Sequence, residues 1–117
     1  MPTPRDRWDR AKSHTVRVIL EHALLSVTPD RVAEFESAFG QAESIISSMP
    51  GFRRLQLSRG HERPNVYLLL VEWDELEDHT EGFRQSSGYQ QWKDLLHHFY
   101  DPFPVVEHYT PLDVSAL

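Results

Sequence analysis

Two stretches of this chain, residues 16–27 and Val66–Trp73, are apolar on both of their alternating faces. Side chains alternate across a β-strand, so each stretch reads as a central strand that needs cover on two sides. In the first, Val18, Leu20 and Leu24 share one face with His22, while Ile19, Ala23 and Leu25 share the other. Between them lies an amphipathic stripe of Val32, Phe35, Phe39, Ala42, Ile46 and Met49 at three- and four-residue steps, which predicts a helix. Thr28-Pro29-Asp30 reads as its start, with Thr28 as N-cap, and Pro50-Gly51 as its stop. Residues 52–58 alternate Leu55 and Leu57 with Arg54, Gln56 and Ser58, as an edge strand does.

After the second two-faced strand, Asp74 and Glu77 have capping-box spacing. A short helix with Leu76, His79, Thr80 and Phe83 on one face is expected next. Ser86-Ser87-Gly88 breaks it, and a further helix carries Tyr89, Trp92, Leu95, Leu96 and Phe99. A last strand covers residues 105–110. The order β-α-β-β-α-(α)-β predicts an α+β, ferredoxin-like antiparallel sheet with helices on one face. The chain's own helices cover one face only. A second copy of the sheet is the simplest cover for the other, which predicts a homodimer through the sheet faces with a pocket under the helices.

With 117 residues the prior is one domain, drawn at residues 16–117, behind a polar, proline-bearing tail at 1–15 anchored only by Trp8. A net charge of -6 and the lack of a basic stripe argue against nucleic acid. There is no cysteine, which excludes disulfides and thiolate chemistry. No apolar run is long enough to span a bilayer and no signal sequence is visible, so no membrane partner and a cytoplasmic location are expected.

Four segments together resemble the antibiotic biosynthesis monooxygenase family of dimeric α+β barrels. They are Val18-Ile-Leu-Glu-His-Ala-Leu-Leu25, Met49-Pro-Gly-Phe52, Tyr67-Leu-Leu-Leu-Val-Glu-Trp73 and Phe83-Arg-Gln-Ser-Ser-Gly-Tyr-Gln-Gln-Trp92. The resemblance implies a homodimer with a small apolar pocket in each subunit. Some members oxidise polyketide anthrones to quinones with oxygen and neither metal nor flavin, and others cleave haem. The Asn of haem-degrading members falls at His22, their Trp near Gly82 or Phe83, and their iron-ligating His near Trp92, so the haem constellation is not reproduced.

The expected function is therefore a cofactor-independent, monooxygenase-like enzyme acting on a small aromatic or quinone-type molecule. His22 and His79, imidazoles on apolar faces, are the expected catalytic pair. Trp73, Phe83, Tyr89, Trp92 and His98 are the expected substrate-binding residues. No metal or other cofactor is expected, although the repeated dipeptides Glu21-His22 and Glu107-His108 on neighbouring strands offer nitrogen and oxygen ligands. The rival readings are a non-catalytic dimer that binds a small ligand, and a haem-degrading or metal-dependent oxygenase.

Overall fold

A computed structural model describes residues 18–117. The expected tail at 1–15, and the first two residues of the first expected strand, lie outside the described residues.

Four strands form one antiparallel sheet in the order β2-β3-β1-β4: β1 (Ile19–Ser26), β2 (Phe52–Arg59), β3 (Val66–Trp73) and β4 (Val106–Tyr109). The two strands with double apolar faces are the central pair, aligned so that Ala23 lies opposite Leu69 and Leu25 opposite Tyr67. The expected edge strand β2 is an edge, with its register shifted between Phe52 and Arg54. This is the ferredoxin-like arrangement, with both long helices on one side of the sheet.

Helix α1 (Val32–Ser47) and helix α2 (Ser87–Leu96) pack on that side. Helix α1 buries Phe35, Phe39, Ala42 and Ile46, and α2 buries Trp92 and Leu96, against Ala23, Leu25, Leu69 and Val71 of the sheet. The aromatic side chains interlock: Phe35 lies 4.9 Å from Tyr67 and Phe39 5.6 Å from Trp92, ring centre to ring centre.

The turns follow local chemistry, with three departures from the expected pattern. Thr28 caps nothing with its side chain; its hydroxyl donates to the Phe99 carbonyl, and a single 3₁₀ turn, Pro29–Arg31, precedes α1. The Asp74–Glu77 capping box is not made. Asp74 pairs with Arg53 at 3.1 Å, and Asp78 accepts the Glu75 N–H instead. The short helix expected after β3 is wound as a π-helix over Asp78–Phe83, which buries His79 and Phe83 but leaves Leu76 exposed. Gly51 has φ +84°, and a β-carbon there would collide with the Asp78 carboxylate, so the turn after α1 requires glycine.

Candidate functional site

A cavity of about 370 Å³ opens between the sheet, the π-helix and α2. That volume suits a small ligand. Sheet residues Glu21, Ala23, Leu25, Leu69 and Val106 form its floor. Phe83, Tyr89 and Trp92 form one wall, with Phe83 edge-on to Tyr89 at 5.1 Å and to Trp92 at 5.5 Å. His97, Tyr100, Phe103 and Pro104 close the far side. Ser86 accepts the Tyr89 N–H at the start of α2 and so sets the end of the helix that carries Tyr89 and Trp92.

The polar centre is a line of four side chains, Trp73, Glu21, His79 and His108, in polar contact. The Trp73 indole N–H donates to Glu21 Oε1 at 3.0 Å. His79 Nε2 lies 3.3 Å from the same oxygen, and His79 Nδ1 lies 2.8 Å from His108 Nε2. Trp73 also stacks on the His79 ring at 5.6 Å, so one fully buried indole positions both groups. Strand register brings Glu21 and His108 to the same place in the sheet, because they sit opposite each other in the β1–β4 ladder.

Burial sets the charges. Glu21 is 4% exposed, and desolvation pushes its carboxyl from an ordinary 4.5 up to about 7, against the Trp73 hydrogen bond and the Arg84 charge, which lower it. Burial drives the His79 imidazole down to about 3, with the Arg84 and His108 charges acting in the same direction. Burial likewise lowers His97 and His108, and raises the Tyr100 phenol above its usual range. The site thus holds neutral imidazoles beside a carboxyl poised to titrate near neutral pH. Arg84, an exposed residue on the lining, is the cation there.

The expected site residues divide. His79, Phe83, Tyr89 and Trp92 line the cavity. Trp73 lies behind it as a support for Glu21 and His79. His98 faces an outer groove with Arg31 and Glu34, its ring 4.2 Å from Phe99, whereas its neighbour His97 faces the cavity. His22 is on the opposite side of the sheet. It lies edge-on to Tyr109 at 5.5 Å, and its Nδ1 is buried with no hydrogen-bond partner among the described residues. The pocket position expected for His22 is occupied by the preceding residue, Glu21. The reason is strand phase: Glu21 alternates with Ala23 and Leu25, whose face the helices cover. That phase was available in the sequence, but which apolar face the helices would take was not. Arg84, His97 and Tyr100 were not expected in the site, since they read as a surface cation and the end of a helix.

The two Glu-His dipeptides are cross-strand partners, Glu21 with His108 and His22 with Glu107. Among the described residues, no group of three or more His, Cys, Asp or Glu side chains is placed to hold a metal ion.

An antiparallel sheet of this order, with helices on one face and an aromatic cavity beneath them, defines a ferredoxin-like α+β domain. Residues 18–95 match the family model for antibiotic biosynthesis monooxygenase, and the chain belongs to that family. It is 55% identical over 92 residues to the uncharacterized protein YczJ of Bacillus subtilis (strain 168), covering 79% of this chain and 97% of that protein. A candidate antibiotic biosynthesis monooxygenase of Bordetella bronchiseptica superposes with a TM-score of 0.79 at 32% identity, over 83% of this chain and 99% of the other. SnoaB, a cofactor-independent oxygenase of Streptomyces nogalater, shares the fold with a TM-score of 0.60 at 21% identity, over 85% and 94% of the two chains. No helix among the described residues is long and apolar enough to cross a membrane.

Proposed function

We propose that this protein is a cofactor-independent oxygenase of a small aromatic, quinone-type substrate whose reacting carbon is acidic, as in an anthrone. The observation that carries this reading is the Glu21 carboxyl. It lines an aromatic cavity, is held by Trp73 and His79, and titrates near 7, where a general base works best. Membership of a family named for monooxygenases supports the same chemistry.

For an anthrone-type methylene, Glu21 takes one C–H proton. The carbanion adds to dioxygen, and the peroxide receives the proton back from Glu21. Glu21 then removes the second C–H proton as the O–O bond breaks. The released hydroxide takes that proton, and the products are a ketone and one water. Dioxygen is reduced and the carbon oxidised, with no other electron carrier needed. Arg84 and Tyr89 line the cavity, and in this reading they stabilise the substrate's enolate or phenolate oxygen. Phe83 and Trp92 hold the ring plane.

In the same reading the active form is a homodimer. The uncovered sheet face carries Leu20, Leu24, Leu68 and Leu70, and Leu24 is 46% exposed. A second copy of that face removes these side chains from water. The unpaired His22 Nδ1 is a polar point that a facing copy can answer.

The test is oxygen uptake by metal-free protein, confirmed as such by native mass spectrometry, with a panel of anthrones. Turnover that disappears in Glu21→Gln supports the proposal. Tight binding of the panel without oxygen consumption makes the protein a binding module and overturns it, as does a Soret band or stoichiometric metal in the active preparation.

A further inference from the structure

The proposed reaction uses the Glu21 carboxyl but leaves unexplained why two imidazoles are strung behind it. Glu21 and His79 are 4% and 3% exposed, so neither exchanges protons freely with water. His108 is only partly buried, on the edge strand β4. The spacings of 3.3 Å and 2.8 Å join all three into one line from cavity to edge. A neutral imidazole has one N–H and one bare nitrogen, so His79 serves both contacts in only two consistent ways. With Glu21 ionised, His79 Nε2–H donates to the carboxylate and Nδ1 accepts from His108 Nε2–H. With Glu21 protonated, the carboxyl proton points to His79 Nε2 and His79 Nδ1–H donates to His108.

We infer that Glu21, His79 and His108 form a proton relay, in which His79 switches tautomer to pass a proton between the cavity and the partly buried His108. In the outward direction the proton on Glu21 moves to His79 Nε2 as the Nδ1 proton moves to His108 Nε2, and the imidazolium so formed releases its Nδ1 proton to water. Little movement is needed: His79 Nδ1 and His108 Nε2 already stand at 2.8 Å, and the 3.3 Å approach of His79 Nε2 to Glu21 has only to tighten and align. The inward direction is the reverse: the C–H proton passed outward while the carbanion meets dioxygen is matched by one returned to Glu21 for the peroxide step, so the relay resets without a ring flip. Trp73, stacked on His79 and bonded to Glu21, fixes the geometry. Other groups around the relay bias but do not interrupt it: Arg84 favours ionised Glu21 and disfavours a proton on either imidazole, while Tyr100 faces Glu21.

The relay rests on the base role proposed for Glu21, but its main test needs no substrate. In full-length protein with labelled histidine rings and glutamate carboxyls, NMR follows His79 and Glu21 between about pH 5 and about pH 9, the range over which imidazoles and a raised carboxyl titrate. The expected result is a change of the His79 protonated nitrogen, Nδ1 to Nε2, that tracks Glu21 ionisation in one event. A His79 ring that keeps one tautomer while Glu21 titrates overturns the relay, whatever the activity assays show.

If turnover is found, His108→Gln keeps a hydrogen-bonding side chain but cannot carry a proton. It is then expected to lower kcat by about 100-fold, the low end of the general acid–base range, with KM little changed and with partial rescue by added imidazole. Unchanged kcat in weakly buffered solution also overturns the inference. Absence of turnover with an intact tautomer switch overturns the oxygenase reading alone.

Discussion

The two faces of the sheet are built from the same strands and meet different fates. On β1, Glu21, Ala23 and Leu25 turn under the helices, where a carboxyl meets an indole, an imidazole and an aromatic cavity. The residues between them, Leu20, His22 and Leu24, turn to the uncovered face, which has leucines at its centre and arginine, glutamine and glutamate toward its rim. Both faces carry an ionisable group among apolar neighbours. Glu21 on the covered face meets Trp73 and His79 from other elements and an aromatic cavity, whereas His22 Nδ1 on the uncovered face has no hydrogen-bond partner among the described residues. A polar residue on an apolar strand face is therefore not informative by itself; what packs over it decides whether it becomes a site.

The largest effect expected on this contrast is in catalysis. Glu21→Gln should reduce oxygen uptake by about 10²–10⁴-fold, the usual contribution of a general base, while His22→Ala leaves kcat within a small factor. Equal losses in both variants would erase the functional difference between the faces. Next is the packing that creates the covered face. Phe35→Ala removes a fully buried ring and should cost about 3–5 kcal/mol in urea denaturation.

The open face should respond differently. Leu24→Lys places a charge on the surface proposed for the second copy, and sedimentation should find a monomer whose near-ultraviolet circular dichroism matches the parent. A dimer of undiminished stability would place the interface elsewhere.

The pH dependence of stability separates the buried carboxyl from the buried imidazole. Glu21 keeps its proton in the folded state up to about 7, whereas the unfolded carboxyl loses it near 4.5, so this group weakens folding as pH rises through that window. His79 titrates at about 3 when folded and near 6.5 when unfolded, so it weakens folding as pH falls through its own window. The two slopes oppose each other between about 4.5 and about 6.5. Glu21→Gln should remove one of them, giving a protein whose stability, followed by urea midpoints, rises more steeply with pH over that interval than the parent's. Parallel curves for the two proteins would mean that Glu21 is not held protonated by burial. The smallest effect concerns the wall of the cavity: Ser86→Ala removes the α2 cap and should cost about 1 kcal/mol, seen as a modest fall in Tm.

Much of the fold was legible because it depends on local periodicity. The two-faced strands announced themselves as central, the Leu55 and Leu57 alternation as an edge, and the α1 stripe as a helix on the sheet. The break at Pro50-Gly51 fell where the chain turns, and of Ser86-Ser87-Gly88 only Ser86 lies at the break, as the cap of α2, while Ser87 and Gly88 begin that helix. Four of the cavity's lining side chains, His79, Phe83, Tyr89 and Trp92, were likewise visible as members of apolar faces.

Tertiary structure decided the rest. Periodicity divides β1 into two faces but carries no label for the one the helices will cover, and so it could not choose between Glu21 and His22. Nor could it show that a π-helical winding would aim His79 at both Glu21 and His108, because His79 is 58 residues from one and 29 from the other in sequence. The raised carboxyl and the lowered imidazole follow from the same cause. They are produced by exclusion of water and by partners brought from β1, β3, β4 and the π-helix, which only the assembled fold brings together.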